Sequence, residues 1–290
     1  MRDFLKEYSV VYDELISSLN HKKYWYIDNG TYMKIVIQGG FKGSVKEGMK
    51  IYWREMLYRI HFIATSSLLR NGEWIKGIVF GLERNNTMMF CSSLRGFLES
   101  VTDSFYSLEA VPTALSLNYK NIVKCLDERM NKLFHAEELE KVLIHYEFAA
   151  RGNEEKALSA NSYIKEYDEC SGGDTKKLYS RLCEIVHPAA GSLTCFQKEV
   201  AVNENVSYMT TCYNENTVIE KICRENENCI KILVRMSIIL PGLCLKILNA
   251  FHNFDIYTEY MDSKTMDRFL DKEKMKVFEE MMEQSKEYCP

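Results

Sequence analysis

Apolar residues along this chain recur mostly at three- and four-residue steps, the period of a helix with one buried face. Val10, Val11, Leu15 and Leu19 mark the first such segment. A second runs from about Met49 to Leu69, with Tyr52, Met56 and Ile63 on neighbouring turns. In "NTMMFCSSLRGFLESVTDSFYSL", Leu94, Phe97, Leu98, Val101, Phe105 and Leu108 fall on one stripe. Arg95, Glu99 and Asp103 line up opposite it, and Gly96, Ser100, Ser104 and Ser107 form a flank of small residues where another helix can come close. Helical patterns follow over about Ala114–Asn131 and Ala136–Arg151, then at about Asp174–Val186, across Glu215–Phe251, and in a charged, Met-rich C-terminal stretch.

The pattern is interrupted in few places. Asn29-Gly30 lies between aromatic and β-branched residues, a hairpin signal because a type I′ turn needs positive φ. A second small hairpin is predicted around Asn203-Glu204-Asn205. "GGFKGSVKEG" reads as a loop, "RNGEW" as a turn, and "RGNEEKALSANSYIKEYDECSGGD" as a loop with one short helix. With only 4 prolines and 14 glycines in 290 residues, long helices are favoured. The expected fold class is therefore predominantly all-α, a helical bundle with one or two small β-hairpins. The expected division is an N-terminal part over 1–85 with helices and a hairpin, a helical core over 86–255, and a C-terminal helix over 256–290.

Composition narrows the function classes. Charged residues are 27% and the net charge is −4, so there is no global pull toward nucleic acid, and an RNA partner needs a local basic patch. The 10 cysteines are scattered, often in apolar runs, with no Cys-x-x-Cys; this is the usage of reduced cysteines in a cytoplasmic protein. The N-terminus has no apolar core of a signal peptide. The most apolar stretch, Cys229–Phe251, is broken by Arg235, Pro241 and Lys246, which predicts a kinked core helix and no membrane span.

The candidate chemistry lies in "KKLYSRLCEIVHPAAGS", Lys176–Ser192. Leu178, Leu182, Ile185 and Val186 make its core stripe. Ser180, Arg181, Glu184 and His187 gather opposite, with Arg181 and His187 about 120° apart and Glu184 between them. Pro188 stops the helix and disfavours helical geometry at His187. An imidazole that moves a proton near neutrality, beside a guanidinium that holds charge on a phosphoryl oxygen, suits cleavage of RNA by its own 2′-hydroxyl. The same trio also fits a solvated polar face, with Arg181 and Glu184 paired at i, i+3. Lys177, with Lys176, is a candidate phosphate contact ahead of the motif.

"SLRGFLESVTDSFYSL" followed later by "LYSRLCEIVHPAAGS" resembles a bacterial group of all-helical proteins related to the HEPN superfamily. HEPN ribonucleases carry an Arg-x4–6-His motif, matched here by Arg181 and His187. Members of the group also tend to carry an Arg and a Glu four apart on an earlier helix, as Arg95 and Glu99 are. The resemblance covers roughly 83–251. It implies a four- or five-helix bundle, a homodimer that brings two Arg/His helices together, and roles as toxins or phage-defence effectors, with a partner protein in a defence or toxin–antitoxin system. Under it, Arg181, Glu184 and His187 are catalytic, and Arg95, Glu99 and Lys177 face substrate. Many active members have a polar residue right after the Arg; this chain has Leu182, on the core stripe.

No metal or cofactor is expected. Glu184-Ile185-Val186-His187 is a single Glu-x-x-His, where a di-iron bundle needs two. His135 and His145 share a face poorly, and His61 in "YRIHFIA" reads as a core histidine. The alternatives to a metal-independent endoribonuclease are a helical binding or sensor module without the chemistry, and a regulatory subunit of a larger assembly.

Overall fold

The computed structural model describes residues 1–19, 23–24, 40–139, 142, 158–188, 192–193, 197–201, 206–209, 215–252, 254–255, 257–270 and 272–287. Among them, helices α1 (Arg2–Leu19), α2 (Gly40–Glu83), α3 (Thr87–Leu108), α4 (Val111–Leu117) and α5 (Tyr119–Leu126) come first. Next are α6 (Ala160–Ser171) and α7 (Thr175–Val186), then strands β1 (Gln197–Ala201) and β2 (Val206–Met209). Helices α8 (Glu215–Glu225), α9 (Glu227–Leu248), α10 (Met266–Phe269) and α11 (Lys272–Gln284) complete the chain. The protein is predominantly α-helical. The two strands pair antiparallel with Lys198 opposite Tyr208 and a register shift between Glu199 and Ala201. Asn29-Gly30, Asn203–Asn205 and most of 136–151 lie outside the described residues, so the expectations placed there do too. No described helix is long and apolar enough to cross a membrane.

Two compact units emerge, each assembled from three separated chain segments: Met1–Glu14, Leu68–Phe105 and Leu158–Ser237, and Leu15–Ser67, Tyr106–Ala157 and Ile238–Pro290. The units thus do not follow the order of the chain.

In the first unit the apolar stripe of α3 is core, with Leu94, Phe97, Leu98 and Val101 all buried. The small flank of α3 receives α2. A Cβ on Gly96 would stand 2.6 Å from the Trp74 ring, and one on Gly81 of α2 would meet the Phe90 backbone nitrogen at 2.6 Å. Two expectations fail along α2. The "RNGEW" turn is helix, and so is the "GGFKGSVKEG" loop from Gly40 onward, because the 44-residue α2 runs through them. Gly and Asn lower helix propensity by up to about 1 kcal/mol each, but tertiary bonding overrides this at Asn71. Its buried amide donates to the Ser237 carbonyl at 3.2 Å, and its Oδ1 accepts from Ser100 at 2.7 Å. Pro241 lies inside α9 and has no N–H to give the Ser237 carbonyl four residues back. Asn71 supplies the missing donor. Tyr12 joins the same point through the Ser237 hydroxyl at 2.6 Å.

In the second unit Trp53 is fully buried, stacks on Phe134 at 5.3 Å between centroids and donates to its carbonyl. His61 is fully buried as well, with its ring nitrogens 2.9 Å from the Tyr24 and Thr258 hydroxyls. A satisfied core histidine is therefore what His61 is. The helix predicted over Ala114–Asn131 is broken at Asn118 between α4 and α5, where the backbone departs from helical angles at φ −100 and ψ 6 and the Asn118 side chain joins its own amide on the Ala114 carbonyl. In the first unit, the helix predicted over Glu215–Phe251 is divided at Asn226, whose side chain bonds the Ile222 carbonyl.

Candidate functional site

Helix α7 is seated within the first unit by its apolar stripe. Leu178, Leu182 and Ile185 are fully buried. At about 1.5–3 kcal/mol each this outweighs any surface ion pair on the other face. Its start is fixed from the preceding helix. Gly172, at φ 62, ends α6 in the left-handed region that favours glycine. Asp168 then accepts from the Thr175 and Lys176 amides at 3.1 and 2.9 Å. Asp174, the residue at the cap position itself, makes no side-chain cap bond.

The far end of α7 carries the chemistry. The His187 amide still donates to the Cys183 carbonyl at 2.9 Å, but its backbone is extended, at φ −83 and ψ 156. This is the pre-proline geometry that Pro188 imposes. The 100° step of the helix stops there, and the imidazole turns toward α3. Its Nε2 lies 2.8 Å from Nη1 of Arg95. A guanidinium has no acceptor, so in this bond Arg95 donates and the facing ring nitrogen carries no proton.

Arg95 is itself held. Its Nε donates to Glu99 at 3.0 Å, and its guanidinium carbon lies 5.6 Å from the centre of the Tyr179 ring. The Tyr179 hydroxyl donates to the same Glu99 oxygen at 2.9 Å. Burial works against the Arg95 charge, but Glu99, Cys183 and Tyr179 outweigh it and raise its pKa. Burial, together with the Glu99 carboxylate, pushes Tyr179 up to about 12, so near neutrality it is a donor. The Arg95 side chain is 23% exposed and His187 is exposed. Of the five guanidinium N–H groups, three are engaged among the described residues, by Glu99, His187 and Tyr179, and the remaining donors can face a ligand.

The predicted residues divide into two groups. Arg95, Glu99 and His187 come together. Arg181 and Glu184 pair with each other at 2.9 Å, with side chains 50% and 58% exposed. No described hydrogen bond or ion pair joins Arg181 to His187. Lys177 is exposed on the first turn of α7, and Leu182 is core. Tyr179 was absent from the sequence reading. Its signal was its position, four residues before Cys183 and between the apolar stripe and the polar face. Among the described residues no group of His, Cys, Asp and Glu could hold a metal ion. His145 lies outside the described residues, and His135 packs its ring against Tyr52 at 4.9 Å. No protein-family model, curated protein or solved structure matches the chain.

Proposed function

We propose that this protein is a metal-independent endoribonuclease whose reacting groups are His187 and Arg95. The single observation that carries the reading is the exposed imidazole with its Nε2 2.8 Å from a guanidinium that is itself fixed by Glu99 and Tyr179. A phosphodiester of RNA replaces the Arg95–His187 hydrogen bond: a non-bridging oxygen takes the Arg95 N–H, and the 2′-hydroxyl takes Nε2. His187 accepts the hydroxyl proton as the oxygen attacks phosphorus, and returns a proton to the departing 5′-oxygen. Arg95 holds the negative charge that builds on the phosphoryl oxygens. Arg181 and Lys177, exposed along α7, contact neighbouring phosphates. The HEPN resemblance adds a homodimer and a toxin or defence role, with a helical bundle as its frame.

The test is purified protein with a single-stranded RNA oligonucleotide in EDTA. Cleavage should leave a 2′,3′-cyclic phosphate, and His187→Ala should abolish it while the melting temperature stays within about 2 °C. RNA left intact by the wild type ends the catalytic reading. If that RNA is nevertheless bound, and Arg95→Ala releases it, the chain is a phosphate-binding module, which the spare guanidinium donors also favour.

A further inference from the structure

Within the second unit, the last helix is held differently from the others. α11 (Lys272–Gln284) packs against α4, yet none of its residues is fully buried. Met275, Phe278, Met281 and Met282 form an apolar row at helical spacing, each only half-buried. In α4, by contrast, Val111 and Leu115 are fully buried. The chain is fastened firmly on either side of α11. Before it, Met266 and Leu270 are buried, and both press on Gly242 of α9, where an added Cβ would find them at 3.1 and 3.3 Å. After it, the fastening is polar. Lys120 donates from its amide to the Ser285 hydroxyl at 3.3 Å and from Nζ to the Glu283 carbonyl at 2.7 Å. Asn121 donates to the Lys286 carbonyl at 3.2 Å, and Lys124 pairs with Glu287 at 2.7 Å.

Those polar contacts close the C-terminal end of α11, satisfying carbonyls that a helix end leaves free. Under them lies a cavity of about 390 Å³, bordered by Leu117, Asn118 and Asn121 on one side and Met281, Gln284 and Ser285 on the other. The packing between the two fastenings is thus shallow and only partly filled, while the latch is part-buried at Ser285 and Asn121 and exposed at Glu283 and Glu287.

We propose that α11 is a strap that opens at its C-terminal latch and swings about the buried Met266–Leu270 anchor, uncovering the cavity wall at the buried Asn121 and the face of α4 on which α11 packs, while the rest of the second unit stays folded. Opening breaks the latch bonds and exposes Ser285, the half-buried methionines and Phe278 of α11, and the face of α4 beneath them. Global unfolding must also expose the buried side chains of α9. Local opening is therefore the lower-energy event.

Hydrogen exchange of the full-length protein, followed by mass spectrometry, tests this. Amides over 272–287 should exchange at least about 100-fold faster than those of Ile238–Leu248, yet about tenfold or more slower than a free peptide. Glu287→Lys sets a cation against Lys124, with Lys120 and Arg129 also acting on that position. It should speed exchange of α11 by up to about fivefold and leave the exchange of α9 unchanged. Ser285→Ala, which removes the acceptor for the Lys120 amide, should act in the same direction. The proposal is overturned if α11 exchanges in step with α9, if it exchanges as a free peptide, or if neither variant accelerates it.

Discussion

Arg95 Nη1 and His187 Nε2 are 2.8 Å apart although 92 residues separate them in the chain. The bond joins the middle of α3 to the residue that ends α7, and both belong to one compact unit. The guanidinium beside the imidazole is thus one supplied from another helix. Arg181, six residues away on the same helix, faces Glu184 and solvent instead.

The first prediction separates the two arginines. Arg95→Ala should lower RNA cleavage by at least about 100-fold, the scale of a lost charge-stabilising donor. Arg181→Ala should cost less than about tenfold, and the loss should shrink at high salt, as for a phosphate contact. Initial rates in EDTA at two salt concentrations, with melting curves for both variants, decide it. Equal losses would falsify the assignment of Arg95.

A second prediction concerns the donor that Asn71 gives to α9. Asn71→Ala leaves the Ser237 carbonyl buried without the donor that Pro241 lacks, and strips the Ser100 hydroxyl of its acceptor. The expected cost is about 2–4 kcal/mol by denaturant unfolding. In a Pro241→Ala background the residue-241 amide can reach the Ser237 carbonyl, so the cost of Asn71→Ala should fall by about 1 kcal/mol or more. Equal costs in both backgrounds would show that Asn71 acts in some other way.

Gly81→Ala is expected to destabilise despite alanine's better helix propensity. The new methyl meets the Phe90 backbone at 2.6 Å, and backbone cannot rotate aside as a side-chain tip can. The propensity gain of about 1 kcal/mol should be outweighed by about 1–3 kcal/mol of overpacking. A melting temperature at or above that of the wild type would contradict the close approach of α2 to α3.

The fourth prediction is a pH dependence. Burial raises the phenols of Tyr12 and Tyr167 above the ordinary tyrosine value. The folded chain therefore keeps protons that the unfolded chain gives up. The stability held by these neutral phenols is full below about pH 10 and declines as pH rises through the folded values. Burial also raises the thiols of Cys125, Cys223, Cys229 and Cys244, so urea midpoints should begin to fall above about pH 8.5 and fall more steeply above about pH 10. The Tyr167 hydroxyl is buried with no hydrogen-bond partner among the described residues, so Tyr167→Phe should be neutral or stabilise by up to about 1 kcal/mol, and should soften the alkaline loss. A variant that is clearly less stable at neutral pH would point to a partner for that hydroxyl.

The residues of α3 show what was legible in the sequence. Leu94, Phe97, Leu98 and Val101 repeat with the helical period and are buried, while Gly96 and Ser100 form the small flank against which α2 lies. The predominance of helix, the core stripe of α7 and the core role of His61 were readable for the same reason: side-chain direction in a helix follows from spacing alone. "RNGEW" shows where this stops. Local propensity favours a turn there, but the bonds that hold Asn71 in α2 come from Ser100 and Ser237, far along the chain.

The sequence by itself determined the predominance of helix, the buried faces of α3 and α7, and an exposed histidine placed by Pro188 at a helix end. Only the tertiary structure decided which guanidinium stands beside that histidine. A helical wheel assigns directions along one helix as far as its backbone remains helical. His187 is extended, and its partner comes from α3, so Arg95, Glu99 and Tyr179 could meet it only once burial of their apolar stripes had brought α3 and α7 into one compact unit.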